Sequence, residues 1–528
     1  MAKKQKEGAL LNLESILFNC RDYLRGNASL NDKRDLLLTL VFFRFIGEKF
    51  DDAFAAIKQS IADKGLDAED PAILEAFLSD DTSFKGAYFL PKNARWSYLR
   101  EVAPANLNAS LDEAIDAINE SSAALKGCVE KGLFTRINLE PKVIKSVVDE
   151  VNKISHKTFG TERDLIGRVY EYFLQSFAIK ATKEDGEFYT PHSIVELIAS
   201  LIEPIDGTLY DPCCGSGGMF IQCAKYVEAK QNDISRVNVY GQESDPATWR
   251  LAKMNLAVRG LSYHLGEKNA STFTNDQHNG MQFDYIMANP PFNKKKWYGE
   301  NHSGHNLWAD YGTPPESNAN YAWILQMLSK LNAAHGVGGF LLANGALGDG
   351  DTQAIRQKLI EHDKVEAIIV LPREMFYTTD ISVTLWILNQ NKKGGIWHGR
   401  NLRNRQQEIL FVDLRTWNQN VYEKKYVKFL REQIEAVCKI YHDWQMTGTD
   451  GNAYQQPELY RSVGIDELKA NDFSLVPSRY IEFVDRDSSI DFDAVLSKSS
   501  AVVNELFKKQ SDNQKALIDA FKELGYGC

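Results

Sequence analysis

Asn289-Pro290-Pro291-Phe292 is suited to gripping an amino group carried on a flat ring. The Asn289 side-chain carbonyl and the Pro290 main-chain carbonyl together accept two hydrogen bonds from one –NH2, and Phe292 offers a planar face. An exocyclic amine is a poor nucleophile because its lone pair is delocalised into the ring. Two acceptors holding both N–H bonds favour a more pyramidal nitrogen with its lone pair directed outward. Attack on an activated methyl then gains from positioning and fixed dipoles, without a strong base. The substrate class is a planar, amino-bearing group: adenine, cytosine or a side-chain amide. An ordinary Pro-rich turn that closes a strand is the competing reading, so the surroundings decide.

Three upstream stretches supply the surroundings. Thr208 to Asp211 reads as a strand end, Pro212 to Gly218 as a Gly-rich turn and Met219 to Lys230 as a helix. That order is a nucleotide-binding βα unit. No Gly-Lys-Ser/Thr follows, and the spaced Gly-x-Gly-x-x-Gly fingerprint is absent, so phosphate is not the obvious ligand. Asp211 beside the turn repels phosphate but can hold a cationic ammonium, which favours the aminoacyl end of S-adenosylmethionine. Glu243 ends the next short strand, Val237 to Glu243, where doubly wound folds place a carboxylate against ribose hydroxyls. Gly186 to His192 precedes a helix over Ser193 to Ile202, with Thr190 as its N-cap and Pro191 as its first residue. Free N–H groups there suit a carboxylate.

Gly-Glu-Phe-Tyr-Thr-Pro, Asp-Pro-Cys-Cys-Gly-Ser-Gly-Gly, Gly-Gln-Glu and Asn-Pro-Pro-Phe, in that order, resemble the amino-group DNA methyltransferases of the gamma order. Almost the full chain is similar to the modification subunit of a type I restriction-modification system. The resemblance implies S-adenosyl-L-methionine as cofactor, with Glu187, Phe188, Tyr189, Thr190, Pro191, His192, Ser216, Gly217 and Gly218 as contacts and Glu243 as the ribose-binding acid. It implies Asn289, Pro290, Pro291 and Phe292 as the catalytic tetrapeptide. The implied reaction is methyl transfer to the exocyclic N6 of an adenine flipped from double-stranded DNA. Two such chains would bind one specificity subunit that reads the sequence, with a restriction nuclease subunit joining for cleavage. Cys213-Cys214 stand where the family commonly has alanines. Asn269-Ala270-Ser271-Thr272 stand where it has a Gly-Asn/Asp stretch, and no site residue is assigned there.

Positioning these residues requires a fold. The predicted class is α/β: a mixed, largely parallel, Rossmann-like methyltransferase core over 156–470. An α-helical N-terminal domain over 1–155 precedes it, and a helical C-terminal tail over 471–528 docks a partner. Apolar periodicity predicts helices at Lys33 to Phe50, Asp112 to Leu125, Glu140 to Ile154 and Thr161 to Gln175. Gln282 to Ala288, Gly339 to Ala343, Val365 to Leu371 and Ser382 to Asn389 read as strands. Asn293 to Asn318, Gly- and Asn-rich, reads as a mobile lid.

Composition agrees. The chain of 528 residues, 44% hydrophobic, suits two to four globular domains. No run reaches transmembrane length, and the basic start Met1 to Glu7 lacks a following signal-type apolar stretch. Seven cysteines without paired metal spacing point to a reducing cytoplasm and no metal. A net charge of −10 is unusual for a protein that grips DNA alone. Lys294-Lys295-Lys296 are placed to steady a phosphate near the catalytic loop. Lys392, Lys393, Arg400, Arg403 and Arg405 read as solvated surface. Beyond Asn389 no stretch suggests a target-recognition domain, so specificity is expected on another chain.

Two other functions remain open at this level: methylation of a protein glutamine, and an inert cofactor-binding scaffold that only assembles a nuclease. Val495, Val502, Leu506, Leu517, Phe521 and Leu524 recur at helical spacing in the tail, interrupted at Gln510 and Asn513. That face either folds back on its own core or docks on the specificity subunit.

Overall fold

The structure, a computed structural model, describes residues 15–78, 84, 87–155, 190–230, 233, 236–298, 306–376, 382–422, 426–446, 454–484 and 492–525. The expected helix Thr161 to Gln175 and the site residues Glu187, Phe188 and Tyr189 lie outside them.

Strands are β1 (Gly207–Asp211), β2 (Val237–Gly241), β3 (Tyr263–His264), β4 (Tyr285–Ala288), β5 (Val337–Ala343), β6 (Val365–Val370) and β7 (Val383–Asn389). They continue with β8 (Gly395–Trp397), β9 (Arg400–Leu402), β10 (Glu408–Asp413), β11 (Val421–Tyr422), β12 (Tyr426–Val427), β13 (Gln455–Gln456) and β14 (Tyr460–Gly464). Ten of them form one sheet in the order β13-β14-β10-β6-β7-β5-β4-β1-β2-β3. The β1–β2, β1–β4, β2–β3, β4–β5 and β6–β10 pairs are parallel; β7 runs antiparallel to both β5 and β6. Every residue of β4, β5, β6 and β7 is buried, so these strands read as continuous apolar runs covered on both faces rather than as alternating ones.

Successive strands step outward from β1 to β2 and β3 on one side, then resume at β4 on the other. The carboxyl ends of β1 and β4 flank this reversal, the place where open α/β sheets bind ligands. Asp211 closes β1, and Asn289 follows the last residue of β4. The helices Gly218–Ala229 and Pro246–Ala257 follow β1 and β2 as the sequence pattern predicts.

The N-terminal domain centres on the 34-residue helix Leu30–Asp63, whose first turn is capped by Ser29 through the Asp32 amide. Leu36 to Phe43 are all buried, so this part of the helix is a core helix, whereas beyond Phe50 only Ile57 and Ile61 are buried. Its core takes in Leu251 and Met254 from the helix after β2. Tyr88 Oη donates to Ala257 O at 3.1 Å, and Arg250 pairs with Glu130 at 3.1 Å. The helical domain thus braces the element that follows Glu243.

Two expectations need correction. Lys392 and Arg405 are not solvated: they are 3% and 0% exposed. Arg405 Nε meets Glu366 Oε1 at 2.8 Å with both side chains fully buried, and Lys392 Nζ meets Asp363 at 2.6 Å. Their partners lie far away in sequence, so the local charge run carried no sign of them. Asn471 to Phe483 does not open the tail but packs on the sheet. Phe473, Leu475, Tyr480 and Ile481 are buried, Tyr480 stacks on Phe411 at 4.7 Å, and Arg356 Nε donates to Phe473 O at 2.8 Å.

The tail proper is one helix, Phe492–Glu523. Val495, Val502, Leu506, Leu517, Phe521 and Leu524 are all exposed, so this face does not fold back on the core. No helix among the described residues is long and apolar enough to cross a membrane.

Candidate active site

The prolines after β4 end its ladder, because they lack N–H donors and fix φ. Pro290 is buried, and Asn289, Pro291 and Phe292 are half-buried. Asn289 Nδ2 donates to Thr190 Oγ1 at 2.9 Å. Asn289 Oδ1 is buried and takes no hydrogen bond among the described residues. On the far side of the tetrapeptide, Asn293 holds an αL backbone (φ 55°) and is knotted to the next helix. Its Oδ1 accepts from Asn318 Nδ2 at 3.1 Å and Asn320 Nδ2 at 2.9 Å, and its amide donates to Asn320 Oδ1 at 3.0 Å. Phe292 meets Phe376 edge-on at 6.4 Å. Phe376 lies in a loop after β6 that carries no motif, so sequence reasoning did not find it.

Thr190 is not the expected N-cap. The helix runs His192–Ile202, with Pro191 at its N-cap position and no side-chain cap bond. The Thr190 hydroxyl turns to Asn289 instead. His192 is exposed, with Nδ1 3.6 Å from Glu196 Oε2. The described part of the expected lid is anchored, not loose. Trp297 and Trp308 are buried edge-to-face at 5.9 Å, and Trp297 Nε1 donates to Pro315 O at 3.2 Å. Lys294, Lys295 and Lys296 are exposed beside the tetrapeptide.

The Gly-rich turn forms a second cluster. Gly215 and Gly217 adopt φ of 54° and 79°, which L side chains rarely accept. A Cβ at Gly215 or Gly218 would meet no atom within 4 Å, so the turn borders open space. Glu243 Oε2 accepts from Gly215 N at 3.0 Å, and Oε1 from Ser244 N and Asp245 N at 2.6 and 2.9 Å. Asn255 Nδ2 holds Ser216 O at 2.8 Å. Asp211, 1% exposed, accepts from Cys213 N at 3.0 Å. Burial pushes its carboxyl up to about 7; the Cys213 amide pulls it down, and the Glu243 charge adds to the rise. Burial likewise pushes the Cys213 and Cys214 thiols well up, so both act as small neutral groups.

The stretch Asn269 to Thr272, unassigned from sequence, joins this cluster. Ala270 N donates to Glu243 O at 2.8 Å, Asn269 Nδ2 to Ser244 O at 2.8 Å, and Thr272 Oγ1 to Pro212 O at 2.5 Å. Gln242, fully buried, folds the stretch into place. Its Nε2 donates to Ala270 O at 3.1 Å and Asn275 O at 2.7 Å, and its Oε1 accepts from Gln277 N at 3.2 Å. A buried glutamine just past a strand end was the only sequence signal, and it does not name its partners.

The donor set fits S-adenosylmethionine. A buried acid suits an ammonium, a positive-φ turn opens on free space, and Glu243 Oε2, with one described donor, keeps acceptor capacity for a hydroxyl. The two clusters lie at the carboxyl ends of adjacent strands, so a group bound at β1 faces one held at β4.

Residues 161–488 match the N-6 DNA Methylase family, and residues 13–151 match the HsdM N-terminal domain. The chain is 35% identical over 461 residues to the type I restriction enzyme HindI methylase subunit of Haemophilus influenzae, covering 83% of this chain and 100% of that one. It is 30% identical over 526 residues to the MjaIX methylase subunit of Methanocaldococcus jannaschii, covering 97% and 90%. In structure it resembles the methyltransferase subunit of a type I restriction-modification system from Streptococcus thermophilus. The TM-score there is 0.69 at 22% identity, over 89% of this chain and 98% of that one.

Proposed function

Since the chain belongs to the N-6 DNA methylase family, among the methylase subunits of type I restriction enzymes, we propose that it methylates the exocyclic N6 of adenine at a specific site in double-stranded DNA. The observation that carries this reading is Asn289 Oδ1. It is a buried acceptor without a described partner, at the mouth of β4, beside the turn that suits the cofactor. Leaving such an atom unpaired costs roughly 1–3 kcal/mol, a cost the incoming amine removes.

S-adenosylmethionine, when bound, supplies an electrophilic methyl group on a sulfonium. Asp211 would hold its ammonium and Glu243 a ribose hydroxyl, while Ser216, Gly217 and Gly218 would allow close backbone approach. Thr190, Pro191 and His192 border the opposite wall. Asn289 Oδ1 and the Pro290 carbonyl accept from the two amine hydrogens, leaving the nitrogen lone pair aimed at the methyl. Phe292 stacks on the flipped base, and Phe376 limits the tilt of its ring. As the N–C bond forms, the methyl's bond to sulfur would break, its electron pair staying on a neutral thioether that leaves, and the methylated nitrogen would lose its proton to water.

Sequence reading belongs to a separate specificity subunit. Support comes from the net charge of −10 and from the exposed apolar face of Phe492–Glu523, which suits the helices of a partner. In this reading two copies of the chain bind one specificity subunit in the cytoplasm, and a restriction nuclease joins for cleavage. The test is co-expression with the products of neighbouring genes, then base-resolution mapping of modified adenines. Methyl groups on protein glutamine, or none at all, would overturn the proposal.

A further inference from the structure

We infer that Thr190 is a positioning residue for Asn289, anchoring its side chain across the cleft with Oδ1 toward the target amine. The inference rests on the methyl-transfer reading above and deepens it.

A primary amide has two ends of nearly equal size and opposite hydrogen-bonding character. Turned one way, Asn289 presents an acceptor to the amine. Turned the other way, it presents N–H to N–H and the grip is lost. A hydroxyl can bond either end, so Thr190 fixes the place of the side chain across the cleft rather than the identity of the end. Thr190 Oγ1 lies 2.9 Å from Asn289 Nδ2, across 99 positions of sequence, and Oδ1 is left unpartnered among the described residues. This is the productive orientation.

The threonine is well placed to hold it. Proline at 191 biases the preceding residue toward extended backbone. The helix His192–Ile202 that follows is anchored by Ile194, Val195, Leu197 and Ile198, all buried. The Thr190 hydroxyl lies before this helix, where a capping threonine would accept from its first amides, yet the helix has no side-chain cap. Its acceptor capacity is directed across the site to β4. Thr190 thus links the rigid wall on one side of the cleft to the catalytic side chain on the other.

The test uses the purified complex with its specificity partner, single-turnover methyl transfer at saturating S-adenosylmethionine and DNA, and calorimetry of S-adenosylmethionine binding. Thr190→Val should lower the transfer rate at saturating cofactor about tenfold or more, the equivalent of one lost orienting hydrogen bond, whatever its effect on cofactor affinity as a residue of the cofactor wall. Thr190→Ser, which keeps the hydroxyl, should restore the rate. If valine disturbs folding, Thr190→Ala repeats the measurement. Two results would overturn the assignment: a Thr190→Val rate equal to wild type at saturating cofactor, or a loss of rate that Thr190→Ser shares in full. A wild-type complex that places no methyl on adenine N6 would instead remove the functional reading itself.

Discussion

Gly215 N donates to Glu243 Oε2 at 3.0 Å, so the Gly-rich turn after β1 and the acid beyond β2 form one hydrogen-bonded unit. The acid both shapes the turn and faces the space it borders. Glu243→Ala therefore removes a turn anchor along with the ribose contact. Cofactor affinity should fall by about 1.5–3 kcal/mol, and thermal stability should fall with it. Gly217→Val should weaken binding through the turn itself, because φ of 79° strains a branched side chain. Calorimetry checks both; unchanged affinity in the two variants would mean the cofactor lies elsewhere.

Asp211 makes the cofactor site sensitive to pH. Its carboxyl, raised from 3.8 to about 7, stays neutral in the folded chain at pH values where the unfolded chain has already ionised. Burial of Asp211 thus costs nothing below the ordinary value. The cost grows as pH rises and levels off above about 7, at roughly 4 kcal/mol. Without cofactor, Asp211→Asn should be more stable than wild type at pH 8, with a gap that closes as pH falls toward 4. S-adenosylmethionine affinity should drop in the wild type as pH falls through about 7 and be weak and flat in the variant. Thermal melts and titrations over that range decide; a pH-independent gap would refute the assignment.

The pair Arg405–Glu366 is buried on both sides, and Gln445 Nε2 adds a bond to Glu366 Oε1 at 3.2 Å. Arg405→Met leaves Glu366 uncompensated and should cost about 3–5 kcal/mol. Arg405→Met with Glu366→Leu should recover most of that. Urea unfolding measures it, and equal stability of the single and double variants would contradict this account.

The helix Phe492–Glu523 keeps its apolar side chains away from the core. Ending the chain after residue 491 should leave the melting temperature and cofactor binding unchanged while abolishing assembly with the specificity partner. Co-purification at full stoichiometry would move the assembly surface elsewhere, with the N-terminal helical domain next in line.

What was legible in the sequence was what a short window holds. Apolar runs located β1, β4, β5, β6 and β7, and the prolines and glycines marked where β4 and β1 stop. What was hidden depends on partners far along the chain. Thr190 reads as a cap until Asn289 is beside it. Asn269 to Thr272 lacks a familiar motif and is held in place by Gln242. Lys392 and Arg405 look like surface until Asp363 and Glu366 arrive beneath them. Asn471 to Phe483 is irregular in pattern, yet Phe473, Leu475, Tyr480 and Ile481 within it are buried against a sheet formed by other segments.

The most direct test of the account is Asn289→Ala in the complex with its specificity partner, read by base-resolution mapping of adenine methylation and by cofactor calorimetry. The wild type should methylate N6 of one adenine per strand of a defined site. The variant should bind S-adenosylmethionine with nearly unchanged affinity, because Asn289 lies just past β4 rather than in the β1 turn, and should leave the site unmethylated. Substantial N6 methylation by Asn289→Ala would contradict the claim that its buried oxygen, unpartnered among the described residues, grips the target amine.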